Sequence, residues 1–215
     1  MAKSLVAVIF DMDGVVVDSE PRHERAFLEV MQEIGYGDTH GVHFPDYIGR
    51  SEKDLWMDFL SRNKPTQQLD DLLAMKRRRV VDILRNEQPL FEGLPGLIEK
   101  LAARCPLGLA SGSDRGVVEE VLALKGLHRF FSAVVTGADV QHGKPAPDIF
   151  LRTAELLGVP AEDCWVIEDS RPGVAAGLAA GMRVIAITNT HAAEELTGAN
   201  HVVGTYPEIE KLLLA

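Results

Sequence analysis

Two acidic residues one position apart, Asp11 and Asp13, close an apolar run in the stretch VAVIFDMDGVVVDSE. A buried carboxylate is costly unless something pairs with it. A strand that carries two of them inward therefore implies a counter-charge from elsewhere in the chain. Three other segments offer partners, each at or shortly after a short apolar run: Ser111-Gly112-Ser113, Gly143-Lys144-Pro145 and Glu168-Asp169-Ser170. Carboxylates brought to one point repel unless a cation sits among them. Oxygen-only donors suit a hard ion, and Mg2+ is the natural one when waters and a phosphate complete its shell. Lys144 and Ser111 then become donors to the anion on that ion, and a phosphate suits both. Asp11 and Asp13 share one side of an extended chain. One can touch the ion and attack phosphorus, and the other can protonate the departing oxygen and later activate water. Gly14 lets the backbone turn sharply beside them.

Such parts must be held by something rigid. Apolar runs recur at Leu5–Phe10, Leu107–Ala110, Ala133–Thr136, Cys164–Ile167, Arg183–Thr188 and His201–Val203. Each is nearly continuous, the pattern of a strand buried on both faces. Helical stretches separate most of them: Leu94–Arg104, Asp114–Lys125, Pro147–Leu157 and Arg171–Ala180. Ser113 or Asp114 is expected to cap the second of these, and Gly181 to close the fourth. Strand–helix alternation predicts an α/β fold with a parallel sheet, whose strand ends are where ligands bind. The last two strands end in Asn189 and Gly204 and add no charge cluster.

Between Glu20 and Glu92 no strand is expected. The spacing instead predicts helices over His23–Ile34, Glu52–Arg62 and Gln67–Asn86, punctuated by Gly35, Gly37, Gly41 and Lys64-Pro65. A helical domain over residues 18–89 is thus expected as an insertion into a core made of residues 1–17 and 90–215.

The bulk composition excludes other classes. The chain has 215 residues, 46% hydrophobic and 25% charged, with a formal charge of −10. An acidic balance disfavours nucleic acid or anionic membrane as partners, since both need basic surface. The longest apolar stretch, Gly173–Ile187, is broken by glycines and Arg183. That leaves it short of the roughly 20 residues of a membrane span. Cys105 and Cys164 lack metal-ligand spacing and read as small buried hydrophobes in a reduced, cytoplasmic protein. Nothing demands a second protein, so a monomer is expected.

Four segments together resemble the haloacid-dehalogenase superfamily: FDMDGVVVDSE, LASGSD, GKPAPDIF and VIEDSRPGVAAGLAAGM, in that order. The resemblance runs from Leu5 to the C-terminal helix and implies a Rossmann-like core with helices on both faces. It makes the insertion similar to that superfamily's α-helical (C1-type) cap. It further implies Asp11 as nucleophile and Asp13 as acid/base, with the Asp13 carbonyl on Mg2+. Ser111 and Lys144 would hold the phosphoryl group, with Gly112 and Ser113 beside it. Asp169 would bind the metal with Glu168 assisting.

The nearest resemblance is to the β-phosphoglucomutase-like subgroup, which holds both mutases and sugar-phosphate phosphatases. The mutases continue the second motif with Lys and Asn, where this chain has Asp114 and Arg115. Their cap-loop arginine stands three residues after a glycine, whereas Arg50 follows Gly49 directly. Both departures point to a phosphatase of a small phosphorylated sugar, sugar acid or polyol. β-Phosphoglucomutase is the alternative, and a non-enzymatic phosphosugar-binding protein a third, against which Asp11 and Asp13 stand. Dehalogenase chemistry needs neither Asp13 nor a metal.

In the insertion, His23 and Arg50 are the candidate substrate contacts, and Asp18 is expected to orient the hinge. The run Lys76-Arg77-Arg78-Arg79 spreads around a helix and is expected to be a solvated face.

Overall fold

The computed structural model describes residues 5–47 and 52–215. Within them, six strands form one sheet: β1 (Ala7–Phe10), β2 (Leu107–Ser111), β3 (Phe131–Thr136), β4 (Cys164–Glu168), β5 (Arg183–Ile187) and β6 (His201–Val203). Every pairing is parallel, in the order β3-β2-β1-β4-β5-β6. The first three strands thus step one way and the last three the other, which places the topological switch point between β1 and β4. Asp11 follows β1 and Glu168-Asp169 closes β4, so the costly acids lie beside that switch.

Eight α-helices accompany the sheet among the described residues: α1 (Glu20–Glu33), α2 (Glu52–Arg62), α3 (Leu69–Glu87), α4 (Leu94–Ala102), α5 (Arg115–Ala123), α6 (Asp148–Leu157), α7 (Arg171–Ala179) and α8 (Tyr206–Leu214). Ile149, Phe150 and Ala154 of α6 and Val174 and Ala176 of α7 join Ile9, Ala110, Val166 and Val184 in one apolar cluster. The oppositely directed Val8, Phe10, Leu109, Ile167 and Ile185 are also fully buried, so both faces of the sheet are covered. Full burial of each large apolar side chain is worth about 1.5–3 kcal/mol. The strands therefore hold firm even though they end in carboxylates.

The chain divides into two compact units, one holding the described residues up to Asp18 together with Pro89–Ala215, the other Ser19–Gln88. The second unit is helical. Phe27, Val30 and Met31 of α1, Leu55, Trp56 and Phe59 of α2, and Leu72 of α3 form its core. Tilted and edge-on ring contacts join Phe27, Trp56 and Phe59.

Lys76 of α3 departs from expectation. It is only 4% exposed. Its ammonium lies 3.1 Å from Glu52 Oε1 and 3.3 Å from His23 Nδ1. Helical spacing explains this, since Leu72, Lys76 and Val80 share one stripe at four-residue intervals. Only the remainder of the run, Arg77 to Arg79, keeps to the outer faces.

Candidate active site

The amide of Asp11 still donates to the Ile167 carbonyl (2.9 Å), so the first residue past β1 stays tied to β4. This places its carboxylate next to Glu168. The Lys144 ammonium reaches both acids, bonding Asp11 Oδ1 and, at 2.6 Å, Glu168 Oε1. Its nitrogen also lies 3.5 Å from the Ala110 carbonyl, a long contact for the third hydrogen. Burial alone would lower the Lys144 pKa, but the Asp11 and Glu168 carboxylates outweigh it and hold the ammonium charged. Burial pushes the Asp11 carboxyl well up, with Lys144 opposing and the neighbouring acids adding to the rise.

Glu168, expected to assist at a metal, has protein hydrogen-bond partners at both oxygens. Its Oε2 accepts from the amides of Asp169 (2.9 Å) and Ser170 (2.8 Å) and from the Ser170 hydroxyl (2.9 Å). With Oε1 on Lys144, both oxygens are engaged. A Cβ on Gly173, in the first turn of α7, would lie 1.7 Å from Oε1, so a glycine there makes room for this carboxylate.

Asp169 is 4% exposed, and its carboxyl is pushed up to about 8, first by burial and then by the Glu168 charge. A hydrogen bond with the Thr190 side chain works the other way. Gly14 sits against it at φ +78°. A Cβ there would come within 1.8 Å of Asp169 Oδ2 and 2.6 Å of Thr190 Oγ1. Both the backbone angle and the close approach therefore require glycine at this position.

The Asp13 carboxylate turns toward the end of β2. The Ser113 hydroxyl donates to its Oδ2 at 2.6 Å and the Ser111 hydroxyl at 3.3 Å. The Ser113 amide in turn donates to Ser111 Oγ (3.0 Å). Of the two cap candidates it is Asp114 that caps α5, accepting from the Gly116 amide at 2.8 Å, which leaves the Ser113 hydroxyl for Asp13. Gly112 lies between the serines with open space where a Cβ would be.

Asp11, Glu168 and Lys144 are thus directly joined, and Asp13, Ser111 and Ser113 form a second joined set beside them. His23 lies in the helical unit, at Lys76. Arg50 lies outside the described residues.

Four further residues hydrogen-bond to the acidic loops without standing out in the sequence. Asn189 Nδ2 donates to the Gly14 carbonyl (2.7 Å), and the Tyr206 hydroxyl to the Val15 carbonyl (2.7 Å). Thr190 bonds the Asp169 carboxylate, and His191 Nδ1 donates to the Asp169 carbonyl at 3.0 Å. The end of β5, as expected, brings no charge cluster, but its Asn189, Thr190 and His191 hydrogen-bond to both acidic loops. None of these side chains carries a carboxylate or lysine charge, and their roles depend on partners remote in sequence.

The donor set also says what the cluster can hold. Among the described residues, Asp11, Asp13, Glu168 and Asp169 supply four carboxylates against the Lys144 ammonium. Among the described residues no three His, Cys, Asp or Glu side chains gather closely enough to hold an ion by themselves. One or two carboxylates, completed by waters and a phosphate, are the usual protein share of a Mg2+ shell.

A parallel sheet with acids, an ammonium and hydroxyls at neighbouring strand ends, and a helical unit inserted after the first strand, defines a phosphoryl-handling hydrolase. The chain belongs to the haloacid dehalogenase-like hydrolases, whose family model matches residues 5–181. It is 34% identical over 193 residues to hexitol phosphatase B of Escherichia coli, covering 86% of this chain and 84% of that one. It is 32% identical over 187 residues to the fructose-1-phosphate phosphatase YqaB of Escherichia coli, covering 86% and 97%. Among solved structures it is similar to CbbY from Rhodobacter sphaeroides in complex with phosphate, at a TM-score of 0.81 and 26% identity over 95% of this chain and 96% of that one. The chain is accordingly an enzyme, a hydrolase of phosphoric monoesters. Among the described residues no helix is long and apolar enough to cross a membrane.

Proposed function

We propose that the protein is a Mg2+-dependent phosphatase of a small phosphorylated sugar, sugar acid or polyol, acting through an aspartyl-phosphate on Asp11. One observation carries this: a buried carboxylate held by an ammonium, with a second carboxylate two residues on held by two hydroxyls. The similarity to curated hexitol and fructose-1-phosphate phosphatases supports the substrate class.

In this mechanism an Asp11 oxygen attacks phosphorus as the bond to the departing oxygen breaks. Asp13 gives that oxygen its proton, so an alcohol leaves rather than an alkoxide. The third Lys144 hydrogen donates to the phosphoryl oxygens, as does the Ser111 hydroxyl once it turns from Asp13, which keeps the shorter bond from Ser113. Water then attacks the phosphorus of the acyl phosphate and passes a proton to the Asp13 carboxylate. Phosphate departs and Asp11 is restored. The side chains of Asp11 and Asp169 and the Asp13 carbonyl would hold Mg2+. That ion would offset the charge of the acids and of the phosphoryl oxygens. Glu168 holds Lys144 in place. From the helical unit, His23 and Arg50 are the proposed substrate contacts.

Two features support hydrolysis over transfer between phosphosugars. Asp114 is spent on capping α5, and Arg115 Nη2 lies 2.5 Å from Asp139 Oδ2. A second phosphate would meet a carboxylate and an arginine already paired.

A phosphate-release screen over phosphorylated metabolites tests the proposal. Release is expected from sugar or polyol monophosphates with Mg2+, to be lost with EDTA and regained on adding Mg2+. With β-glucose 1-phosphate and a trace of the bisphosphate, accumulation of glucose 6-phosphate instead of inorganic phosphate would establish a mutase. Inertness toward every compound, p-nitrophenyl phosphate included, would leave a binding protein.

A further inference from the structure

Asp13 is followed at once by a folded-back loop. The Gly14 amide donates to the Val17 carbonyl (2.9 Å), and the amides of Val16 and Val17 donate to the Met12 carbonyl (2.7 and 3.1 Å). The carbonyls of Gly14 and Val15 receive side chains from the far end of the sequence. The two hydrogens of Asn189 Nδ2 go to the Gly14 carbonyl (2.7 Å) and the Tyr206 oxygen (2.9 Å). The Tyr206 hydroxyl then donates to the Val15 carbonyl (2.7 Å). Every hydrogen in this relay has one possible direction, because the amide nitrogen only donates and the carbonyls only accept.

The relay stands on rigid supports. Asn189 follows β5 through Thr188, whose amide is held by the Val203 carbonyl of β6 (3.0 Å). Tyr206 is the first residue of α8 and is 6% exposed. Glu208 fixes that helix start by accepting from the Gly204 amide (3.1 Å) and the Thr205 hydroxyl (2.9 Å). The Tyr206 ring also packs on Phe91, with ring centres 6.0 Å apart. Phe91 follows Leu90, which bridges to Val17, while the Asp18 amide donates to the Pro89 carbonyl at 2.9 Å. Tyr206 thus touches both segments by which the chain leaves and re-enters the sheet unit.

We infer that Asn189 and Tyr206 are positioning residues which set the loop after Asp13, and through it the aim of the Asp13 carboxyl at the departing oxygen. The inference rests on the acid role proposed for Asp13. A misaimed acid matters most where the leaving oxygen is a poor leaving group, and little for p-nitrophenol, which departs without a proton.

The test compares Tyr206→Phe, Asn189→Ala and Asp13→Asn across a series of phosphate monoesters running from alkyl to p-nitrophenyl. Tyr206→Phe keeps the ring on Phe91 and removes only the hydroxyl. Its kcat on alkyl phosphates is expected to fall about tenfold with KM nearly unchanged, and on p-nitrophenyl phosphate by at most about twofold. Asn189→Ala should repeat the pattern, and Asp13→Asn should exaggerate it. In metal-free protein, amide exchange at residues 14–17 should quicken in both clasp variants while β1 and β4 keep wild-type rates. Equal losses across the series, or wild-type exchange at 14–17, in both clasp variants would overturn the inference. A flat series in Asp13→Asn would instead overturn the acid role itself, and the inference with it.

Discussion

Asp11→Asn is expected to stop phosphate release, lowering kcat by at least about 10^4-fold while the protein still folds. An amide is a poor nucleophile, and the Asp13 and Glu168 carboxylates are engaged elsewhere. The Asp13 carboxylate is held by Ser111 and Ser113, and Glu168 is occupied at both oxygens. The loss should be chemical rather than structural. Burial already pushes the Asp11 carboxyl toward its neutral form, so a neutral side chain of the same shape relieves a cost. Lys144 keeps Glu168 as its counter-charge at 2.6 Å. Phosphate release and a thermal melt on the same preparation separate the two effects. Turnover within tenfold of wild type would remove Asp11 from the chemistry.

Lys144→Met should cost both activity and stability. The ammonium pairs with both the Asp11 and Glu168 carboxylates, and both acids lie in the interior. Removing one partner of a buried pair costs about 3–5 kcal/mol, because the other charge is left behind. In a protein of this size that corresponds to a fall in Tm of roughly 10 °C. Asp11 can relieve the repulsion by taking up a proton, but a protonated Asp11 no longer attacks. Loss of a donor to the phosphoryl oxygens adds about 10^2–10^3-fold. Lys144→Arg should recover part of the stability and little of the rate, since a planar guanidinium cannot serve three acceptors from one nitrogen. A Lys144→Met protein with wild-type melting and turnover would contradict the placement of this lysine.

The strands and the acids at their ends are legible in the sequence for a plain physical reason. A parallel strand buried on both faces must be apolar almost throughout, so a carboxylate or lysine at its end stands out. Asp11, Glu168 and Asp169 are visible in this way, whereas Ser111 carries no charge and Lys144 lies in the loop beyond β3, and both stand out only through the motifs around them. What is hidden depends on partners remote in sequence. Whether Ser113 or Asp114 caps α5 turns on Asp13 competing for the serine hydroxyl. The commitments of Glu168 follow from Gly173 leaving room for it and from the two amides aimed at its Oε2. Asn189, Thr190, His191 and Tyr206 act by hydrogen bonding alone, and nothing in their spacing sets them apart. Lys76 is a different case. Its place on the stripe of Leu72 and Val80 is present in the sequence, but the neighbouring arginines mask it.

The central claim is that Asp11 carries the phosphoryl group, and trapping it is the most direct test. Enzyme turning over p-nitrophenyl phosphate would be quenched in acid, reduced with borohydride and digested. The reduction converts an acyl phosphate on aspartate into homoserine, which mass spectrometry locates. Homoserine at position 11, dependent on substrate and absent from unreacted enzyme, is the expected result. Label at another residue, or none at any residue while p-nitrophenol is released in a pre-steady-state burst, would contradict the account.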